Sequence, residues 1–289
     1  MTDDPRLDHV QCLDNRGLHR IAFWEWGDPA HPHVVLCAHG LTRQGRDFDT
    51  LARALAPHCR VVCPDVVGRG RSDWLADPMA YQVPQYDADM VTLLARLNAK
   101  TVDWVGTSMG GLIGIGLAAQ QGTPLRRMVV NDVGPTLEPA AIARIGSYVG
   151  RPAQWATIDE AADALWSISQ GFGPHTREQW LALTEPQLTR DGEMWHPRSD
   201  LSIAVPFRAV TPEMARSGEA LLWQAWDRIQ VPTLLVRGAQ SDLLSPATAQ
   251  AMTERGPRAR QVDFAGVGHA PMFVQPDQVA VVHEFLLGP

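Results

Sequence analysis

The sequence lacks an apolar run long enough to cross a bilayer, and it lacks an excess of basic charge. Its 289 residues include 25 lysines and arginines against 32 aspartates and glutamates, which gives a formal net charge of −7. Nucleic-acid binding needs clustered positive charge, so a DNA or RNA partner is disfavoured. We expect no membrane span or membrane partner. The acidic, polar N-terminal segment also predicts no secretory signal and a cytoplasmic location.

Cysteine is scarce as well, with only Cys12, Cys37, Cys59 and Cys63. All four lie in apolar or strand-like surroundings, and their spacing is not that of metal ligands. We therefore expect free, buried thiols in a reducing compartment, with no metal site and no cofactor.

Strand and helix patterns alternate along most of the chain. Two strand-like segments, 9–13 and 18–26, flank a turn-forming Asp-Asn-Arg-Gly, which predicts a hairpin. Short apolar runs typical of buried parallel strands follow at 33–38, 60–64, 102–105, 126–131, 233–237 and 261–264. Helical patterns lie between most of them, at 47–56, 84–98, 109–121, 246–255 and 276–287. This alternation predicts an α/β protein with a mostly parallel sheet covered on both faces.

One interval breaks the alternation. Residues 136–215 contain no buried-strand pattern but carry helical patterns with several tryptophans. A structureless loop of that length is improbable. We therefore predict an inserted helical cap at 136–215 and a core formed by residues 1–135 and 216–289.

The first chemical motif is Gly-Thr-Ser-Met-Gly-Gly at 106–111, which follows an apolar strand and opens a helix. A serine can stand exposed on such a sharp turn only when small residues lie two positions before and after it. The helix N-terminus also directs N–H groups toward the place where negative charge develops. Ser108 is the predicted nucleophile.

Two further segments supply the partners of that serine. An apolar strand ends in His39-Gly40-Leu41, and the loop after such a strand provides one oxyanion-hole donor. The amides of Leu41 and Met109 are the predicted pair of donors. His269 follows the last strand on a glycine-flanked loop, at the sheet edge where catalytic groups gather, and is the predicted general base.

The acid that orients His269 has two candidates. Asp242 lies just past the strand pattern at 233–237, and it is our preferred assignment. Asp132 follows the preceding strand and remains the alternative, with a role in bracing the entry to the cap as its other interpretation. Asp65 is expected to hold a tight Gly-rich turn.

Taken together, these motifs resemble the α/β-hydrolase superfamily along nearly the whole chain. The matching pieces are His39-Gly40, the Pro-Asp…Gly-Arg-Gly-Arg-Ser turn at 64–72, the 106–111 motif, the Gly238…Asp242…Pro246 segment and Gly268-His269. The resemblance implies the α/β-hydrolase fold, with a mostly parallel eight-stranded sheet, flanking helices and an inserted helical cap. It also implies a serine hydrolase without cofactor.

The expected activity is hydrolysis of a small or medium-sized carboxylic ester through an acyl-enzyme. The resemblance leaves open C–C bond hydrolysis of ring-cleavage products, enol-lactone hydrolysis, and a ligand-sensing protein on a hydrolase scaffold. Arg43 is a candidate for binding a substrate carboxylate, and the cap should hold specificity. The substrate-binding candidates are His39, Gly40, Arg43, Trp155, Trp166, Phe172 and Met272.

Overall fold

The computed structural model describes residues 4–99 and 101–288. Its centre is one eight-stranded sheet with the strand order β1-β2-β4-β3-β5-β6-β9-β10. Strand β2 runs antiparallel to both β1 and β4, and the remaining pairs are parallel. The strands are β1 (Arg6–Leu13), β2 (Leu18–Trp26), β3 (Val34–Ala38), β4 (Arg60–Pro64), β5 (Val102–Thr107), β6 (Leu125–Asn131), β9 (Thr233–Gly238) and β10 (Arg260–Phe264). The predicted fold class is confirmed.

The β1–β2 hairpin forms where the turn chemistry predicts it. The Asp14 carboxylate accepts hydrogen bonds from the amides of Arg16 and Gly17, and Gly17 has a φ of 140°. An aspartate that binds amides two and three residues ahead closes a tight turn, and glycine adopts the positive φ without a steric penalty.

Helices cover both faces of the sheet because successive strand side chains point to opposite sides. Trp104 and Leu36 join the apolar layer beneath α2 and α3, whereas Val105 and Val35 join the layer beneath α1 and α10. The core helices are α1 (Asp49–Leu55), α2 (Val83–Leu97), α3 (Met109–Ala118), α9 (Pro246–Glu254) and α10 (Pro276–Leu287).

The chain between β6 and β9 is inserted between two neighbouring strands of the sheet and contributes residues to the cavity beside Ser108. It contains α4 (Pro139–Gly146), α5 (Ile158–Ser169), α6 (Arg177–Thr184), α7 (Ala204–Ala209) and α8 (Pro212–Arg228). It also contains an antiparallel hairpin of β7 (Leu188–Asp191) and β8 (Met194–Pro197). The helical pattern did not predict this hairpin, and the expected boundary at 215 falls inside α8, which packs against α3.

No helix in the two described stretches is both long and apolar enough to span a bilayer. The four cysteines are unpaired and buried. Burial raises the pKa of the Cys12 and Cys59 thiols to about 12, so these two groups are protonated at neutral pH.

Candidate active site

Ser108 occupies the sharp turn between β5 and α3. Its backbone has a φ of 53° and a ψ of −115°, a strained conformation for a residue with a side chain. A Cβ atom at Gly106 would collide with the Gly110 carbonyl, and one at Gly110 would collide with the carbonyl of Ala38. The two glycines therefore allow the close approach that holds the serine out at the turn.

His269 connects this serine to an acid. The Ser108 hydroxyl lies 3.0 Å from His269 Nε2, and His269 Nδ1 lies 2.8 Å from Asp132 Oδ2. The Asp132 carboxylate is fully buried and also accepts hydrogen bonds from the Gly238 amide at 2.9 Å and the Ser241 hydroxyl at 2.7 Å. These donors fix the carboxylate, so the arrangement can hold one imidazole tautomer with Nε2 free to accept the serine proton.

The preference for Asp242 as the acid beside His269 is wrong. The Asp242 side chain is 47% exposed and forms a two-point ion pair with Arg144, at 2.7 and 2.9 Å. After β9 the chain turns at Ser241, whose hydroxyl points inward to Asp132, and the next residue points outward. Asp132 directly follows β6, which pairs with β5, the strand that leads into Ser108, so its carboxylate reaches the histidine.

The two predicted oxyanion donors lie on either side of Ser108. A Cβ built on Gly40 would lie 3.6 Å from the Ser108 Cβ, so the loop after β3 adjoins the nucleophile. Within the stretches that the structure describes, the amides of Leu41 and Met109 donate to no protein acceptor. This leaves both amides available for a developing oxyanion.

His39 and Asp65 shape the loop under this site. The His39 Nε2 atom accepts a hydrogen bond from the Val66 amide, and Nδ1–H donates to the Gly40 carbonyl. Complete burial lowers the pKa of His39 to about 3, so the ring is neutral. The Asp65 carboxylate accepts from the amides of Gly45 and Arg71, which holds the Gly-rich turn as expected.

Arg69 is a functional candidate that the sequence reasoning missed. Its side chain is completely buried, with Nε donating to the Leu41 carbonyl at 2.9 Å and Nη1 donating to the Tyr86 hydroxyl. Its Nη2 atom lies 3.7 Å from Met109 Sδ. One side chain therefore connects both residues that carry the oxyanion donors. An arginine inside the Gly-Arg-Gly-Arg turn was the available signal.

Arg43 is buried but already paired. It forms a two-point ion pair with Asp47, at 2.6 and 2.7 Å, and donates to the Leu183 carbonyl of α6. Its guanidinium also lies 5.5 Å from the centre of the Phe172 ring. These contacts tie the oxyanion loop to the cap, and they argue against Arg43 as a ligand for a substrate carboxylate.

A cavity of about 260 Å³ opens between the catalytic turn and the cap. Its wall includes the candidate residues His39, Gly40, Leu41, Arg43, Trp155, Phe172 and Met272, together with Ser108 and His269. Apolar side chains of α4 and α5, such as Ile145 and Leu165, complete the wall. The volume is slightly below the roughly 300–1,000 Å³ usual for small-molecule sites, which favours a small substrate.

Trp166 does not fit its predicted place in that wall. Its ring packs edge-on against Trp180 at 5.0 Å and against His175 at 6.2 Å. The Trp180 indole N–H donates to the Ala162 carbonyl. Both tryptophans therefore belong to the small apolar core of the cap.

Cys12, His19 and Asp89 form a buried group whose side chains approach one another within 4.8 Å. They lie on β1, β2 and α2, at the edge of the sheet away from the Ser108 turn. Asp89 accepts hydrogen bonds from His19 and Gln85, so protein donors already satisfy its carboxylate. This group has the character of a structural hydrogen-bond network.

Comparison with known proteins agrees with this geometry. The sequence profile described as "Alpha/beta hydrolase family" matches residues 34–282. The chain belongs to this family. Like other α/β hydrolases it carries its serine between a strand and a helix, and the family resemblance expected from the motifs is confirmed.

Two relatives narrow the chemistry of this α/β hydrolase. A 3-hydroxybutyrate-oligomer hydrolase of Cupriavidus necator is 54% identical over 292 residues, which cover 100% of both chains. A pimeloyl-[acyl-carrier protein] methyl ester esterase of Xanthomonas campestris is 28% identical over 89% of this chain and 96% of its own. The crystal structure of an alpha/beta hydrolase from Novosphingobium aromaticivorans is 34% identical, with a TM-score of 0.86 and full coverage of both chains. The protein is an ester hydrolase.

Proposed function

We propose that this ester hydrolase cleaves oligomers of 3-hydroxybutyrate through a serine acyl-enzyme. The observation that carries the proposal is the 54% identity to the C. necator oligomer hydrolase over the full length of both chains. The hydrogen-bonded series Ser108–His269–Asp132 supports the serine mechanism. The small, largely apolar cavity suits a short aliphatic ester.

In the acylation step His269 Nε2 takes the proton from the Ser108 hydroxyl while Oγ forms a bond to the ester carbonyl carbon. The carbonyl oxygen becomes an oxyanion, which the amides of Leu41 and Met109 bind. The C–O bond to the alcohol part then breaks, and the protonated His269 donates its proton to that oxygen. The shortened hydroxyacid leaves, and the acyl part stays on Ser108.

Deacylation repeats the sequence with water. His269 takes a proton from the water as its oxygen adds to the acyl carbon, and the same amides bind the second oxyanion. The bond to Ser108 Oγ breaks, the serine regains its proton from His269, and the acid product is released. Throughout the cycle Asp132 orients the ring and stabilises its protonated form.

The test is hydrolysis of the 3-hydroxybutyrate dimer and trimer, followed by separation of the products. Wild type should release 3-hydroxybutyrate from both. Ser108→Ala should remove this activity without altering the fold by circular dichroism. Ser169→Ala, which removes a hydroxyl from another cavity-lining serine, is the matched control. Wild-type turnover of simple esters but of neither oligomer would reject the substrate, whereas oligomer cleavage by Ser108→Ala would reject the mechanism.

A further inference from the structure

One guanidinium on the wall of the catalytic cavity lacks an acidic partner. Arg198 follows β8, and within the described residues its side chain makes one hydrogen bond, from Nε to the Leu188 carbonyl at 3.3 Å. Arg151 of the same wall is exposed and likewise forms no ion pair within the described residues, whereas Arg43 and Arg144 each form a two-point ion pair with an aspartate. Arg198 therefore differs from Arg43 and Arg144 in keeping donors available for an added anion.

A second guanidinium lies beside it. The Gly70 amide donates to the Arg198 carbonyl at 2.9 Å, and the Asp200 amide donates to the Gly68 carbonyl at 2.8 Å. These bonds hold the end of β8 against the turn that carries Arg71. The Arg71 guanidinium forms no ion pair among residues 4–99 and 101–288, although the Arg71 amide donates to the Asp65 carboxylate. Burial and the nearby Arg71 charge together lower the pKa of Arg198.

Arg198 is half-buried and Arg71 is exposed, and two like charges close to each other repel, so an anion beside Arg198 is favoured. The Asp65 charge acts on Arg198, but the Asp65 carboxylate already accepts hydrogen bonds from the amides of Gly45 and Arg71. Burial raises the pKa of Asp65 to about 6, so it is mostly ionised at neutral pH, but it forms no ion pair with either guanidinium within the described residues. The remaining donors of Arg198 therefore stay available to an anion that enters the cavity.

We infer that Arg198, assisted by Arg71, binds the free carboxylate of the substrate. The planar guanidinium matches the two oxygens of a carboxylate, and a linear 3-hydroxybutyrate oligomer carries one such group at one end. This inference rests on the proposed function. It transfers the role that the sequence suggested for Arg43 to an arginine whose donors are not already taken.

The chemistry of the oligomer then decides which part of the substrate lies at Arg198. In a linear hydroxyacid oligomer the free carboxylate always lies on the alcohol side of any ester bond. Arg198 therefore holds the leaving group, and the hydroxyl end of the substrate becomes the acyl part on Ser108. The carboxylate-bearing product departs before deacylation, so loss of Arg198 should act on acylation and on kcat/KM.

The experiment compares the 3-hydroxybutyrate trimer with its methyl ester, which replaces the charged carboxylate by a neutral ester, and product separation counts only cleavage of the internal ester bonds. In Arg198→Gln the ratio of kcat/KM for the acid to that for the methyl ester should fall about 10- to 100-fold, as expected for a lost charge-assisted hydrogen bond. Arg71→Gln should lower the same ratio by a smaller factor. Arg190→Gln, an exposed arginine on the same hairpin, should keep the wild-type ratio.

An unchanged ratio in Arg198→Gln, or an equal fall in Arg190→Gln, overturns the inference. So does a loss confined to Arg151→Gln, which removes another arginine of the cavity wall. A second measurement separates this result from failure of the proposed function. Free 3-hydroxybutyrate should inhibit wild-type hydrolysis of p-nitrophenyl butyrate, with a higher Ki in Arg198→Gln, even if no oligomer is a substrate. Equal Ki values would overturn the carboxylate site itself.

Discussion

Replacement of Asp132 by asparagine should nearly abolish ester hydrolysis while leaving the protein folded. The Asp132 carboxylate accepts three hydrogen bonds in the structure, from His269, Gly238 and Ser241. In Asp132→Asn the remaining carbonyl oxygen can still accept from the Gly238 amide, but an NH₂ group then faces His269 Nδ1. That nitrogen must give up its proton to accept a hydrogen bond.

The imidazole consequently carries its proton on Nε2, the atom that has to receive the serine proton. If the side-chain amide rotated so that its oxygen accepted from His269, its NH₂ group would face the Gly238 amide, which is also a donor. A base held in the wrong tautomer lowers kcat about 10,000-fold in enzymes of this mechanism. This factor corresponds to about 5 kcal/mol in activation free energy.

The assay is steady-state hydrolysis of p-nitrophenyl butyrate, with the melting temperature measured in parallel. Asp242→Asn is the matched control, because it makes the same chemical change in the aspartate that the sequence favoured. It breaks an exposed ion pair with Arg144, worth about 0–1 kcal/mol in stability, and should keep activity. Near-normal kcat in Asp132→Asn, or an equal loss in Asp242→Asn, would refute the assignment of the acid.

Three further predictions follow from buried groups. Arg69→Lys should fold but lose the Nε bond to the Leu41 carbonyl, lowering kcat for p-nitrophenyl butyrate about 10- to 100-fold through a displaced oxyanion donor; unchanged kcat would contradict a positioning role. Gly106→Ala should lower the free energy of unfolding by about 1–3 kcal/mol, measured with urea, because its methyl group meets the Gly110 carbonyl. Burial raises the pKa of Asp87 to about 7. The folded protein thus binds a proton that the unfolded chain releases between about pH 4 and 7, so stability falls as the pH rises through that window. Between pH 5 and pH 8 the free energy of unfolding, measured by urea titration, should fall by about 2 kcal/mol less in Asp87→Asn than in wild type. An equal fall in the two proteins would rule out this role of Asp87.

Much of the core architecture was readable from the sequence because its signals are local. Strand β4 occupies Arg60–Pro64, the bounds expected from its short apolar run, and β5 extends the expected strand by two residues to Thr107. A fully buried parallel strand needs apolar residues on both faces, so the run itself marks the element. The hairpin β7–β8 was missed because β8 is only half-buried, β7 ends in two exposed residues, and neither strand carries such a run.

Ser108 and His269 were likewise identified from local chemistry. The sharp turn at residues 106–111 requires glycines around the serine. The glycine-flanked histidine directly follows the last strand pattern. Both requirements act within a few residues of the group concerned. The structure brings the two side chains to 3.0 Å across 161 positions of sequence.

The identity of the acid depended on the tertiary structure. Asp132 and Asp242 each follow a strand, and strand-end position alone does not distinguish them. The distinction comes from the order of β5, β6 and β9 in the sheet and from the turn at Ser241, which faces Asp132 while the next carboxylate turns to Arg144.

The roles of the arginines also depended on the tertiary structure. The sequence by itself determined the fold class, the serine and the histidine, because each is specified by neighbours along the chain. Only the tertiary structure decided which carboxylate faces the histidine, and which arginine is already neutralised. Those properties depend on partners far away in sequence: Arg43 meets the Leu183 carbonyl of the cap, and Arg198 meets the turn that carries Arg71.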